Sequence, residues 1–84
     1  MEQFETGMMA RSKSGHDAGK VYVITKVEEA YVYLVDGKVR TLDKPKKKKK
    51  KHVQLIKESF DIQGATDVDI KRWIKMWNKE DNQN

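Results

Sequence analysis

The chain has 84 residues, of which 37% are charged and 37% hydrophobic, a formal net charge of +5 and no cysteine. That length supplies one small domain with a modest core and not a large enzyme-like cleft. Disulfides and thiolate metal sites are excluded, and two histidines without cysteine do not make a structural zinc site, so no metal ligand and no cofactor is expected.

In chain order, residues 1–7 read as a short leader in which Phe4 is expected to tuck against the domain. Met1–Ala10 carries Glu2 and Glu5 and no long apolar run, which fits neither a signal peptide nor a membrane span. A soluble, cytoplasmic protein is therefore expected. Met8–Lys13 is a first strand. Lys13-Ser14-Gly15-His16-Asp17-Ala18-Gly19-Lys20 follows, with two glycines, a serine and an aspartate in eight residues, and reads as a loop.

Val21–Val27 alternates as a strand, with Val21, Val23, Thr25 and Val27 on one face and Tyr22, Ile24 and Lys26 on the other. Glu28-Glu29 is a turn. Ala30–Val35 is apolar or aromatic on both faces and rich in β-formers, which predicts a central strand. Asp36-Gly37 between β-rich runs predicts a type I′ hairpin that returns Lys38–Leu42 antiparallel. Pro45 lacks an N–H and disfavours helix at Lys44, so Lys46–Lys51 is expected to be a loop, followed by a fifth strand at His52–Ile56. Five short strands with tight turns predict a small closed or nearly closed barrel.

After Lys57 the period changes. Thr66 is the candidate N-cap of a helix whose first turn carries Asp67 and Asp69. Helical spacing places Ile70, Trp73, Ile74 and Trp77 on one stripe, with Lys71, Arg72, Lys75 and Lys79 opposite. The helix is expected to end near Lys79, leaving a polar tail. The predicted organisation is a leader (1–7), a barrel (8–56), a linker and helix (57–80) and a tail (81–84).

Charge is concentrated in one place. Residues 1–43 hold six basic and seven acidic side chains, residues 44–57 eight lysines and no acid, and residues 58–84 four basic and six acidic. The whole positive balance lies around Pro45 and the six lysines from Lys46 to Lys51. A basic block in a near-neutral chain points to local contact with a polyanion. The glycine loop is not a nucleotide-hydrolase phosphate loop: its glycine spacing is wrong and a strand follows it. Ser14, His16 and Asp17 are neighbours on one loop, but adjacency does not produce triad geometry, and no nucleophile, base and orienting group are assembled elsewhere. No catalytic residue is assigned and the chain is read as no enzyme. Tyr31 and Tyr33 are expected to be half-buried packing residues rather than base-stacking platforms. The Trp-bearing helix is expected to cover an open side of the barrel, in preference to docking a partner or lying on a membrane.

Gly7-Met8-Met9-Ala10-Arg11-Ser12-Lys13-Ser14-Gly15-His16-Asp17-Ala18-Gly19-Lys20-Val21-Tyr22-Val23-Ile24 resembles a KOW motif, a strand, glycine-containing loop and strand found in ribosomal proteins and transcription elongation factors. Asp36-Gly37-Lys38-Val39-Arg40-Thr41-Leu42-Asp43-Lys44-Pro45-Lys46 and His52-Val53-Gln54-Leu55 resemble small bacterial KOW-domain RNA-binding proteins, relatives of the archaeal and eukaryotic large-subunit ribosomal protein fourteen-e. The resemblance covers roughly residues 7–56. The chain departs from the pattern at His16, where many relatives have Arg, and in its uninterrupted lysines near positions 49 and 50.

The resemblance implies an SH3-like barrel and RNA binding, mostly to ribosomal RNA. With the strands and helix read above, the expected fold is a mainly β, five-stranded SH3-like barrel with a C-terminal amphipathic helix, which lies outside the shared motif. The resemblance makes Gly19 the KOW glycine. Lys13, Ser14, Gly15, His16, Asp17 and Lys20 become one RNA-facing surface, and Lys44, Lys46, Lys47, Lys48, Lys49, Lys50, Lys51 and His52 a second. Arg11 and Arg40 are the candidates for geometry-specific contacts, because guanidinium is a planar fork and lysine a flexible point charge. Ribosomal RNA, ribosomal proteins and a monomeric state are the expected associations, with no membrane. The alternative is a protein-interaction adaptor that docks through the barrel or the Trp-bearing helix. Replacing Lys46–Lys51 by serine is expected to abolish RNA binding and leave the fold unchanged.

Overall fold

The computed structural model describes residues 3–81. Five antiparallel strands, β1 (Met8–Ser12), β2 (Val21–Val27), β3 (Tyr31–Val35), β4 (Lys46–Lys49) and β5 (Val53–Ser59), form one sheet in the order β4-β3-β2-β1-β5. One α-helix among the described residues, α1 (Asp67–Asp81), follows. The predicted 8–56 boundary falls short, since β5 runs on to Ser59. Phe4 packs against the sheet as expected. Residue 81 of the predicted tail closes α1; Met1, Glu2 and 82–84 lie outside the described residues.

The sheet has two apolar faces. On one, Met9, Val21, Val23 and Val35 pack with Ile70 and Ile74 of α1, flanked by Ile56, Phe60, Ile62, Trp73 and Trp77. The predicted helical stripe is thus spent on the sheet. Phe60 and Trp73 stack with ring centroids 4.7 Å apart and an interplanar angle of 2°. The other face gathers Ala10, Tyr22, Ile24, Val32, Leu34 and Val53. Among the described residues no helix covers it, yet Ala10, Ile24, Val32 and Leu34 are fully buried. The sheet must curl over this face itself.

The chain between β4 and β5 requires the same curl. These strands are opposite edges of the sheet, about 19 Å apart if it were flat. They are joined by one 3₁₀ turn, Lys50–His52. Four residue steps reach about 14 Å even when fully extended. A register shift between Ile24 and Lys26 adds local twist to β2. It also reverses the side-chain phase, so Val27 packs with Tyr22 and Ile24 and not with Val21 and Val23 as strict alternation predicts.

The fourth strand is not where the sequence places it. Residues 38–42 form no strand. Asp36 accepts, on one carboxylate oxygen, the backbone N–H groups of Lys38 (2.9 Å), Val39 (3.0 Å) and Arg40 (2.8 Å). Donors captured this way cannot enter a ladder, which is how short acidic side chains compete with sheet. Gly37, at φ 77°, lies so close to α1 that an added Cβ would collide with the Asp67 carbonyl oxygen. Leu42 N–H donates to Asp67 Oδ1 at 2.8 Å, tying the loop to the start of the helix. A flat hairpin is replaced by a loop docked on α1.

The lysine run takes the vacant edge. Lys46, Lys47, Lys48 and Lys49 pair with Leu34, Tyr33, Val32 and Tyr31, so most of the predicted loop is strand β4. Pro45 sits immediately before it, where its missing N–H costs no ladder bond. His52 ends the 3₁₀ turn and does not open β5.

At α1 the predicted cap is present. Asp69 N–H donates to Thr66 Oγ1 (3.2 Å) and Thr66 N–H donates to an Asp69 carboxylate oxygen (3.0 Å). This reciprocal pair is a capping box with Asp in the usual Glu position. The Thr66 hydrogen bonds hold the Asp69 carboxyl below its ordinary range.

Candidate nucleic-acid interface

Strand alternation divides the lysines. Lys46 and Lys48 stand opposite Leu34 and Val32 and point to the curled inner face, where their side chains are only 26% and 10% exposed. Lys47 and Lys49 point outward with Tyr33 and Tyr31.

The inner pair converges on Asp17, which is buried. Lys46 Nζ lies 3.0 Å from one Asp17 oxygen and Lys48 Nζ 2.9 Å from the other. Ser12 Oγ donates to Asp17 at 2.9 Å and Tyr22 OH at 3.3 Å. Lys48 Nζ also donates to the Ser14 carbonyl at 2.8 Å. Burial alone would push the Asp17 carboxyl up, but hydrogen bonds from Lys48, Lys46 and Ser12 outweigh it and hold the group well below the usual carboxylate range. Burial, reinforced by the Asp17 charge, pushes the Tyr22 hydroxyl up to about 12.

Asp17 therefore does not offer itself to a ligand. It clamps β4 to the glycine loop. The loop is ordered in its own right: Gly19 N–H donates to the Ser12 carbonyl, Ser12 N–H to Lys20, Lys20 N–H to Asp17 and Ala18 N–H to Gly15. Lys13 N–H donates to the His52 carbonyl at 2.8 Å, adding a second tie to the end of the lysine run. The two segments expected from the resemblance to face RNA are consequently tied to each other.

Of the predicted contact residues, Lys13, Gly15, His16, Gly19, Lys20, Lys44, Lys47, Lys49 and Lys51 are exposed. Ser14, Lys50 and His52 are half-buried, with Lys50 Nζ 5.3 Å from the Phe4 ring centroid. Arg40 shares a small cavity of about 180 Å³ with His16, Lys20 and Lys46. Arg11 is set apart from the others: it lies on the helix-covered face with its guanidinium 5.5 Å from the Trp77 ring centroid.

Tyr31 and Tyr33 are half-buried but belong to neither core cluster. Lys47 Nζ sits 4.4 Å from the Tyr31 centroid and 6.0 Å from that of Tyr33, which Lys26 Nζ approaches at 5.2 Å. Sequence reasoning missed this aromatic–lysine strip because it placed the lysines in a loop, where they have no register with the tyrosines. It also missed Ser12 and Tyr22 as Asp17 partners. The available signal was the lone acid in an otherwise basic loop.

No protein-family model and no curated protein matches the chain. Among the described residues no helix is long and apolar enough to cross a membrane.

Proposed function

We propose that the chain is a non-enzymatic RNA-binding module of the KOW type, an SH3-like barrel with an added C-terminal helix, whose target is ribosomal RNA. One observation carries the reading: the Asp17 clamp fixes the lysine strand beside the glycine loop, so that Lys47 and Lys49 on the outward face of β4, Lys51 after it, and the loop lysines Lys13 and Lys20 are all exposed on one rigid scaffold. Ammonium groups on a fixed scaffold attract phosphates by releasing counterions, a contribution that depends on salt and little on sequence. The exposed glycines let a backbone strand approach closely and add recognition by shape. The curled five-stranded sheet supports the barrel assignment. The adaptor alternative is weakened, because the Ile70–Trp77 stripe that would dock a partner packs on the sheet.

Filter binding to structured ribosomal RNA fragments across a salt series tests this. Wild-type affinity falls steeply with salt. A Lys47→Ser, Lys49→Ser, Lys51→Ser variant reduces the log–log salt slope by roughly 2–3, at about one counterion per lost phosphate contact, with its melting temperature near that of wild type. Salt-insensitive or absent RNA binding sinks the reading. Replacing all six lysines is not the clean test that the sequence alone indicates, since loss of Lys46 and Lys48 leaves Asp17 buried without its cations.

A further inference from the structure

The glycine loop, the 36–44 loop and α1 enclose a groove of about 590 Å³ that the lysine strand does not line. Four lysines line it: Lys20 from the loop, Lys38 from the segment after β3, and Lys71 and Lys75 from successive turns of α1. Its one acid, Asp36, has an oxygen committed to three backbone N–H groups of its own loop. The apolar part of the lining comes from Val21 and Ile74, both buried, and from Val39, which is 71% exposed. An exposed valine beside four ammonium groups has no role in the core. The walls are preorganised, because Gly37 abuts the Asp67 carbonyl and Leu42 N–H is bonded to Asp67 Oδ1. Lys20 also lines the cavity shared by His16, Arg40 and Lys46, so the groove continues the basic surface already described.

We propose that this groove holds one unpaired nucleotide of an RNA strand, with the phosphates on either side held by Lys20, Lys38, Lys71 and Lys75 and the base laid against Val39, Val21 and Ile74. The assignment rests on the RNA-binding reading and extends it to the helix. Charge selects the class of ligand: four point-charge cations beside an apolar surface match a phosphate backbone carrying a flat base.

The test is fluorescence anisotropy with a labelled, unstructured oligouridylate across a salt series. Four proteins are compared: wild type, Lys71→Ser with Lys75→Ser, Val39→Ser, and the Lys47/Lys49/Lys51 triple serine variant. Removing two phosphate contacts lowers the salt slope by about 1.4 for a single strand. Val39→Ser weakens binding severalfold with the slope unchanged, because it removes apolar contact and no charge. Melting temperatures stay near wild type, as Lys71, Lys75 and Val39 are all exposed.

If wild type and the triple variant bind while the Lys71/Lys75 variant keeps wild-type affinity and slope, the groove assignment falls and the RNA reading stands. If wild type binds no RNA, both fall. Adenosine monophosphate serves as the second probe, read by amide shifts at Gly19, Lys75 and Asn78. Tighter binding of that mononucleotide than of the oligomer overturns the assignment to a strand.

Discussion

Replacing Asp17 by Asn keeps the shape and removes the charge that two lysines face. Asp17 accepts from Lys46, Lys48, Ser12 and Tyr22 at 2.9–3.3 Å, and its own side chain is 8% exposed. Removing one partner of a buried ion pair costs about 3–5 kcal/mol. Lys46, at 26% exposure, can swing toward water, whereas Lys48, at 10%, cannot do so without leaving the Ser14 carbonyl. We expect about 2–4 kcal/mol, toward the lower part of that range. For a chain of this size each kcal/mol moves the melting temperature by about 4–8 °C, so the transition should fall by at least about 8 °C. Circular-dichroism melts from neutral to acid pH supply the assay. Because the folded Asp17 carboxyl lies below its unfolded value of about 3.9, its contribution is complete above that pH and is lost as pH falls. The gap between wild type and D17N should be widest near neutrality and narrow below about pH 4. An unchanged melting temperature, or a gap that does not depend on pH, refutes the clamp.

Three further outcomes follow from the packing. Gly37→Ala puts a methyl group against the Asp67 carbonyl at a positive φ and should cost several kcal/mol, on the order of 2–4, in a urea melt; a cost under about 1 kcal/mol means that the 36–44 loop is not docked on α1. Trp73→Ala removes the stack on Phe60 and part of the helix–sheet core, and should cost about 3 kcal/mol, the low end for a large aromatic because the ring is half-exposed; an unchanged transition would return the helix to a docking role. Thr66→Ala removes the N-cap and should cost about 1 kcal/mol, seen as a lower helix signal and a slightly lower melting temperature.

Where local chemistry decided the outcome, the structure was legible from the sequence. Val21–Val27 is rich in β-branched and aromatic residues, and its strand bounds coincide with the prediction. The Thr66 cap and the Ile70–Trp77 stripe are helix signals that tertiary packing reinforces. The errors arose where two local signals competed or where the deciding partner was distant. Asp36-Gly37 is a hairpin signal, but Asp36 is also a strong acceptor for the N–H groups that follow it, and α1 rewards the second option by receiving Leu42. The contact Leu42–Asp67 spans twenty-five residues and leaves no trace in a local window. The side-chain phase along β2 was lost for a smaller reason, a bulge near Thr25 that no residue type announces.

The lysine run shows most clearly why the site was only half legible. Six ammonium groups in sequence look like a solvated loop, because each prefers water and repels its neighbours. A strand changes that balance by sending alternate side chains to opposite faces. On one side Asp17 accepts two of them and lies too deep to be neutralised by solvent. On the other, Tyr31 and Tyr33 lie beneath Lys47, an attraction worth about 0.5–1 kcal/mol at an exposed site. Edge position completes the arrangement, since lysines on an outermost strand discourage pairing with another chain. Charge density in the sequence therefore overstates what a polyanion can meet. Lys46 and Lys48 hold the scaffold together, and their loss should appear first as instability, whereas Lys47, Lys49 and Lys51 remain free to reach phosphates and their loss should appear as weaker binding. A single acid in the glycine loop makes this division: it converts part of a charge run into structure and leaves the alternate lysines on the outward face with the tyrosines.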